Sequence, residues 1–267
     1  MLETIVIQVT TRCPFDCPQC YMEKGSREMD FDVAKSIVNW ALKNNVQMVQ
    51  FTGGEPMVYP HLEELVKYCH LNGLLTAIAT SGYNCSSSKL QQLENSGVDA
   101  ICVSLNGFKE NTDFLTRHTF QYAVNALTKL KEHNITSFIN FVITKDNYSE
   151  LEAVSRFAKE HEVEKIILLR PFGKCFKNAM LSRNELLNLK CFCDNEEGFL
   201  QVENCYLEYW SVVYDRECFC NDATKKTLFF TVDGYPKPCS KSRTYSYESP
   251  DDIIRGFSFD GRCLFNE

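Results

Sequence analysis

Between Thr4 and Leu169 six short runs of apolar and β-branched residues recur: Thr4 to Thr10, Met48 to Phe51, Leu74 to Ala79, Ala100 to Ser104, Ser137 to Ile143 and Lys165 to Leu169. The intervening stretches carry helical stripes. Val33, Ile37, Trp40 and Ala41 share one face, as do Leu62, Leu65, Val66 and Cys69 behind Pro60 at a first-turn position. Leu90 and Leu93 precede Gly97, a stop signal, and Phe120, Val124, Leu127 and Leu130 form the next stripe. Ser149 and Glu152 fit a capping box ahead of Leu151, Val154, Phe157 and Ala158.

Six strand–helix repeats with nearly continuous apolar strands predict an α/β fold with a parallel sheet covered on both faces. Six units fall short of the eight of a closed barrel, so the expected form is an open partial barrel, with its site at the C-terminal strand ends. After Pro171 the rhythm is expected to stop. Residues 172–267 hold eight of the fourteen cysteines (Cys175, Cys191, Cys193, Cys205, Cys218, Cys220, Cys239, Cys263) and no histidine. Leu228 to Val232 followed by Asp233-Gly234 reads as a hairpin. The expected division is a barrel over 1–171 and a small cysteine-rich domain over 172–267, which would need a metal staple to hold together.

The 267 residues are 44% hydrophobic and 24% charged, enough for a sizeable core and against wholesale disorder. No apolar run is long enough to span a bilayer, and Met1 to Cys13 lacks a basic-then-apolar signal, so a cytoplasmic protein with no membrane partner is expected. With 28 Lys and Arg against 35 Asp and Glu the net charge is −7, which argues against nucleic acid as a partner. In such a chain fourteen cysteines point to metal or redox chemistry more than to disulfides.

Cys13-Pro14-Phe15-Asp16-Cys17-Pro18-Gln19-Cys20 directly follows the first strand. Its C-x3-C-x2-C spacing offers three thiolates, and no fourth Cys or His follows within a short loop. A structural zinc site wants four ligands. Three suit an iron–sulfur cubane with one iron left open. Gly53-Gly54-Glu55-Pro56 follows the second strand. Its glycines allow close backbone approach to a ligand, and exposed carbonyls with a carboxylate would suit an ammonium group. Taken alone it also reads as an ordinary strand-to-helix turn.

Together these motifs resemble the radical S-adenosylmethionine (SAM) superfamily. The resemblance implies a partial (β/α)6 barrel, a 4Fe–4S cluster on Cys13, Cys17 and Cys20, and SAM bound through Gly53, Gly54, Glu55 and Pro56. It implies reductive cleavage of SAM to methionine and a 5′-deoxyadenosyl radical that abstracts a substrate hydrogen, with the electron from an external flavodoxin- or ferredoxin-type donor. Thr80-Ser81-Gly82 is similar to the family's Thr-Asn-Gly after the third strand, which makes Ser81 a candidate cofactor contact. Val103-Ser104-Leu105-Asn106-Gly107 resembles V-S-x-D-G, with Ser104 a candidate for the SAM ribose or carboxylate. Asp113 and Arg117 resemble H-D-x-x-R-G with Thr112 in place of His and one extra residue, so Arg117 is a candidate partner of the SAM carboxylate. Gln19 stands where many relatives carry an aromatic.

In the tail, Cys220, Gly234 and Cys239 form C-x13-G-x4-C, which resembles the opening of the auxiliary-cluster domains called SPASM and twitch. The dense later run of a full SPASM domain is missing, so the resemblance implies a twitch-like domain with one auxiliary iron–sulfur cluster. Its ligands would be four of Cys205, Cys218, Cys220, Cys239 and Cys263; a four-thiolate zinc site has the same spacing. Cys69 and Cys102 read as core residues, and Cys85, on the loop after the third strand, as a loop thiol or a hydrogen donor to a radical. The barrel details look most like maturases of ribosomally made peptides. The expected enzyme is an oxidoreductase that forms a C–C or thioether crosslink in a precursor peptide, or epimerises a centre, and an auxiliary cluster suits the oxidative outcome. With the first strand beginning by Thr4, leader recognition would fall to a separate protein or to the barrel and tail. A small-molecule dehydrogenase or rearrangement enzyme, and a non-catalytic iron–sulfur or zinc scaffold, are the alternatives.

Overall fold

The computed structural model describes residues 2–17, 20, 22–108, 120–171, 179–202, 226–239 and 249–251. Six strands alternate with helices: β1 (Thr4–Thr10), α1 (Phe31–Lys43), β2 (Met48–Gly53), α2 (Leu62–Leu71), β3 (Leu75–Thr80), α3 (Ser87–Asn95), β4 (Ala100–Ser104), α4 (Phe120–Leu130), β5 (Thr136–Val142), α5 (Leu151–Glu160) and β6 (Lys165–Leu169). β1 to β6 lie side by side in sequence order and pair in parallel. This is the open, partial-barrel α/β sheet that the pattern predicts.

The strand faces divide cleanly. Ile5, Ile7, Val9, Val49, Phe51, Ile78, Ile101, Val103, Ile139, Phe141, Ile166 and Leu168 are fully buried against the helices. The alternate residues form the concave face and include Gln8, Gln50, Ala77, Ala79 and Asn140.

Three features differ from the sequence reading. The rhythm continues past Pro171: α6 (Arg183–Asn195) and β7 (Leu200–Val202) follow, and β7 joins β6 in parallel. Ser182 and Glu185 form a reciprocal capping box that starts α6, whose Leu186 and Leu189 are buried. The capping box expected at Ser149 and Glu152 does not form, because a single 3-10 turn over Tyr148–Glu150 leads into α5 and the N-cap is Glu150. In α1 the buried face is Ala34, Ile37, Val38 and Ala41, with Val33 38% exposed. Asp30 caps the helix by accepting from the backbone N–H groups of Asp32 and Val33, which sets that rotation.

The predicted hairpin is present as β8 (Thr227–Phe230) and β9 (Pro236–Lys237), with the turn at Asp233-Gly234. β8 runs parallel to β1 and extends the sheet on that side, giving the order β7-β6-β5-β4-β3-β2-β1-β8-β9. Val232 N–H donates to Gln8 Oε1 at 3.3 Å, and the Trp40 ring packs edge-on to Phe230. Among the described residues no helix is long and apolar enough to cross a membrane.

Candidate active site

The cysteine loop leaves the C-terminal end of β1 and returns beside it. Thr10 bridges antiparallel to Glu28, Thr11 N–H donates to Arg27 O at 2.9 Å, and Arg27 N–H donates to Thr11 Oγ1 at 2.9 Å. Arg12 and Glu28 add an ion pair at 2.6 Å. Within the loop, Lys24 Nζ donates to Phe15 O at 2.8 Å and pairs with Asp16 at 3.1 Å, while Cys20 N–H donates to Cys17 O at 3.1 Å. The Phe15 ring lies edge-on to Tyr83 (5.7 Å) from the loop after β3 and to Tyr122 (5.3 Å) from α4. The loop is therefore closed at its base and pinned at its apolar corner.

Cys13, Cys17 and Cys20 are in no disulfide, the first two half-buried and the third exposed. Burial pushes the Cys13 thiol up, and Glu55 and Cys20 add to this, against the Phe15 backbone and Lys24. Among the described residues no three His, Cys, Asp or Glu side chains converge at metal-holding distance. The fold thus supplies a tethered three-thiol loop rather than a finished cage. The donor set, all sulfur and one short of four, fits an iron–sulfur cluster and does not fit a hard cation.

The Gly53-Gly54-Glu55-Pro56 turn presses directly on the start of that loop. Gly54 N–H donates to Thr10 O at 2.7 Å and Glu55 N–H to Arg12 O at 2.8 Å. A Cβ on Gly54 would sit 2.2 Å from Arg12 O, and one on Gly53 would sit 2.5 Å from Thr10 O. Only glycine permits this approach.

Glu55 departs from the expected ammonium partner. Its side chain is fully buried and its carboxylate accepts four hydrogen bonds from the protein. Oε1 takes Thr80 Oγ1 at 2.6 Å and Met57 N–H at 3.1 Å; Oε2 takes Ser81 N–H at 2.9 Å and the Ser81 hydroxyl. Burial pushes the carboxyl pKa up, against the hydrogen bonds from Ser81, Thr80 and Met57. Four donors occupy the four acceptor positions of a carboxylate. Glu55 therefore ties the turn after β2 to the end of β3, which leaves backbone atoms of the turn as the groups offered outward. Pro56 is buried in the 3-10 turn that follows.

Ser81 is brought to Glu55 in this way, and Ser104 ends β4, half-buried and registered opposite Asn140. Arg117, Asp113, Cys205, Cys218, Cys220 and Cys263 lie outside the described residues. Cys239 follows β9, which runs antiparallel to β8. Cys85 is buried (6% exposed), with its thiol pushed up to about 12 by burial and by Glu55, against hydrogen bonding to Thr80. Cys69 and Cys102 are core residues as expected, their thiols likewise raised to about 12 by burial.

Two features of the site are not evident from the sequence pattern. The sequence motif gives Thr80 no role of its own, yet a buried glutamate in a turn must find donors, and the neighbouring strand end is where Thr80 Oγ1 supplies one. Asn106 and Asn147 shape the ends of β4 and β5: Asn106 Oδ1 accepts from Val142 N–H at 2.7 Å, and Asn147 Nδ2 donates to Asn106 O at 3.0 Å and to Val142 O at 2.8 Å. Nothing in the sequence singles out Asn147, whose role exists only once β4 and β5 are adjacent.

A parallel sheet with a three-thiol loop at one strand end and a glycine turn packed on it at the next defines an iron–sulfur enzyme class that binds a small cofactor at the strand ends. The chain belongs to the radical SAM superfamily, whose profile matches residues 7–158. It is 25% identical over 168 residues to the Fe-coproporphyrin III synthase of Methanosarcina barkeri (strain Fusaro / DSM 804), an alignment that takes in 61% of this chain and 42% of that protein. The fold is similar to that of SuiB from Streptococcus suis bound to S-adenosylmethionine, with a TM-score of 0.77 at 18% identity, covering 95% of this chain and 65% of SuiB. It is also similar to anSMEcpe bound to AdoMet and the Cp18Cys peptide, with a TM-score of 0.67 at 19% identity, covering 91% of this chain and 75% of that one. The chain thus spans under half of the curated relative and about two thirds of SuiB.

Proposed function

We propose that this radical SAM enzyme modifies a ribosomally made precursor peptide, by C–C or thioether crosslinking or by epimerisation. The observation that carries the reading is the direct packing of the Gly53-Gly54 turn on the Cys13–Cys20 loop, through Glu55 N–H to Arg12 O. SuiB, a fold neighbour, has been solved with its precursor peptide SuiA, and anSMEcpe with peptides, which supports a peptide substrate.

Cys13, Cys17 and Cys20 would hold a 4Fe–4S cluster, and the backbone of Gly53 and Gly54, with Ser104 and Arg117, would hold SAM. When bound, the pair supplies a 5′-deoxyadenosyl radical that removes one hydrogen atom from the substrate. The chain's own contribution is positional. Glu55 holds the turn through Thr80 and Ser81, Lys24 closes the cysteine loop, and Phe15, Tyr83 and Tyr122 fix its corner. Four of Cys205, Cys218, Cys220, Cys239 and Cys263 would hold an auxiliary cluster in the tail. A separate leader-binding protein and a flavodoxin- or ferredoxin-type donor complete the expected partners.

The Fe-coproporphyrin III synthase match favours a second reading, a small-molecule substrate. Anaerobic incubation with SAM, reductant and the small peptides encoded beside the gene separates the two. Mass spectrometry should find a peptide that has lost two hydrogen atoms, or has gained solvent deuterium without net loss, together with 5′-deoxyadenosine. Unchanged peptides alongside turnover of a tetrapyrrole would contradict the peptide reading.

A further inference from the structure

The stretch that carries the three thiols and returns to the sheet, from Arg12 to Glu28, holds three cations: Arg12, Lys24 and Arg27. Arg12 and Arg27 are about half exposed (52% and 47%), and they pair with Glu28, Glu23 and Asp233, none of which stands between the cysteines. Lys24 differs. Its side chain is only 27% exposed and reaches from the return leg back to the outgoing one. There Nζ donates to Phe15 O at 2.8 Å and pairs with Asp16 at 3.1 Å. Phe15 and Asp16 lie between Cys13 and Cys17, so the ammonium rests on the segment that joins the first two thiols.

Both ends of this side chain are held. Gly25 N–H donates to Thr11 O at 3.1 Å, which fastens the residue after Lys24 beside the end of β1, and Phe15 O fastens the tip. A lysine ammonium is a compact charge, and here its place is set. The charge reaches the first thiol. Burial disfavours the Cys13 thiolate most, Glu55 and Cys20 add to this, and Lys24 is the cation that favours it. Asp16, the counter-ion, is 76% exposed, so water and salt screen it more than they screen Lys24. The pair is therefore unequal and leaves a positive field on the thiol side. Three thiolates make an iron–sulfur site negative, and one added electron makes it more so. A fixed cation beside such a site favours its reduced form.

We propose that Lys24 raises the reduction potential of the cluster carried by Cys13, Cys17 and Cys20, so that a one-electron donor of the flavodoxin or ferredoxin type can fill it. The cluster gains one electron, the donor loses one, and no bond or proton of Lys24 changes. The inference rests on the cluster assignment within the function proposed above; the identity of the substrate does not enter it.

The test is an anaerobic redox titration of the reconstituted full chain with SAM, using dithionite as the electron source and electron paramagnetic resonance as the readout. The signal followed is the one that SAM alters and that the variant with Cys13, Cys17 and Cys20 changed to alanine lacks. At a fixed solution potential, Lys24→Gln should show a ratio of reduced to oxidised cluster about tenfold below wild type, a shift of about 59 mV for one electron. Lys24→Arg keeps the charge and should stay within about threefold of wild type. Asp16→Asn removes the counter-ion and should move the ratio the other way, up by about twofold, with the gain fading in high salt. A merely structural tie would shift both variants in the same direction, since losing either partner loosens the same loop. Lys131→Gln breaks a pair with Glu162 beyond the ends of α4 and α5 and should change nothing. Iron is counted in the same samples so that ratios are compared at equal loading. If Lys24→Gln does not load, Asp16→Asn decides: a rise supports the proposal, and no change or a fall overturns it. A Lys24→Gln ratio within about twofold of wild type, or a Lys24→Arg ratio as low as that of Lys24→Gln, also overturns it. Absence of any SAM-sensitive signal in wild type would sink the cluster assignment and the role of Lys24 together. A signal that is present but indifferent to Lys24 and Asp16 leaves the assignment standing and removes the inference alone.

Discussion

Replacing Glu55 by Gln should destabilise the protein although the shapes are nearly the same. The two carboxylate oxygens each face one fixed backbone donor, Met57 N–H on Oε1 and Ser81 N–H on Oε2. The hydroxyls of Thr80 and Ser81 can turn to accept; the backbone N–H groups cannot. A glutamine offers one oxygen, so whichever way its amide is set, its NH2 faces a backbone donor. One buried donor left unpaired costs about 1–3 kcal/mol. Glu55→Ala leaves both donors unpaired and adds a cavity, and should cost about 3–5 kcal/mol. With a urea slope of about 3 kcal/mol/M, the Gln variant should melt about 0.3–1 M below wild type and the Ala variant at least about 1 M below. The assay is anaerobic urea unfolding followed by circular dichroism. A Gln variant at or above the wild-type midpoint would show that Glu55 is not the tie between β2 and β3.

Gly54→Ala should abolish SAM cleavage and cost more than about 2 kcal/mol in urea unfolding, because its Cβ would meet backbone Arg12 O at 2.2 Å and neither loop can yield cheaply. Arg27→Ala removes the exposed 2.5 Å pair with Asp233 that links the cysteine loop's return leg to the hairpin turn; it should cost less than about 1 kcal/mol in urea and less still in high salt. Glu94 accepts from His133 and from Asn134 N–H, which hold its carboxyl below the usual range. Its stabilising effect is therefore present above the ordinary carboxylate pKa and lost as pH falls through the lowered one. Glu94→Gln should melt below wild type at pH 7, and the two curves should converge as the pH falls below the ordinary carboxylate range and through the lowered pKa.

The six strands and the end of the sheet that carries the site were legible because burial on both faces writes itself as apolar runs, and because the two motifs fall where those runs stop. The later elements were less so. The hairpin turn at Asp233-Gly234 is a local signal, but the pairing of β8 with β1 is set by contacts such as Val232 with Gln8, more than two hundred positions apart in the chain, and no local pattern encodes it. Ser149 with Glu152 and Ser182 with Glu185 have the same spacing, yet only the second forms a box, since the 3-10 turn ahead of α5 moves its N-cap to Glu150. Glu55 was legible as a site residue but not in its direction: that its carboxylate turns inward depends on Thr80 and Ser81 arriving from β3.

The central claim is that the loop of Cys13, Cys17 and Cys20 carries a cluster that cleaves SAM. Anaerobically reconstituted wild type and the variant with all three changed to alanine should be compared for 5′-deoxyadenosine released from SAM under a strong reductant, with iron counted in the same samples. The account predicts release by wild type, none by the variant, and a loss of about four irons per chain. Release that persists in the variant, or wild type that holds its full iron and releases nothing, would contradict it.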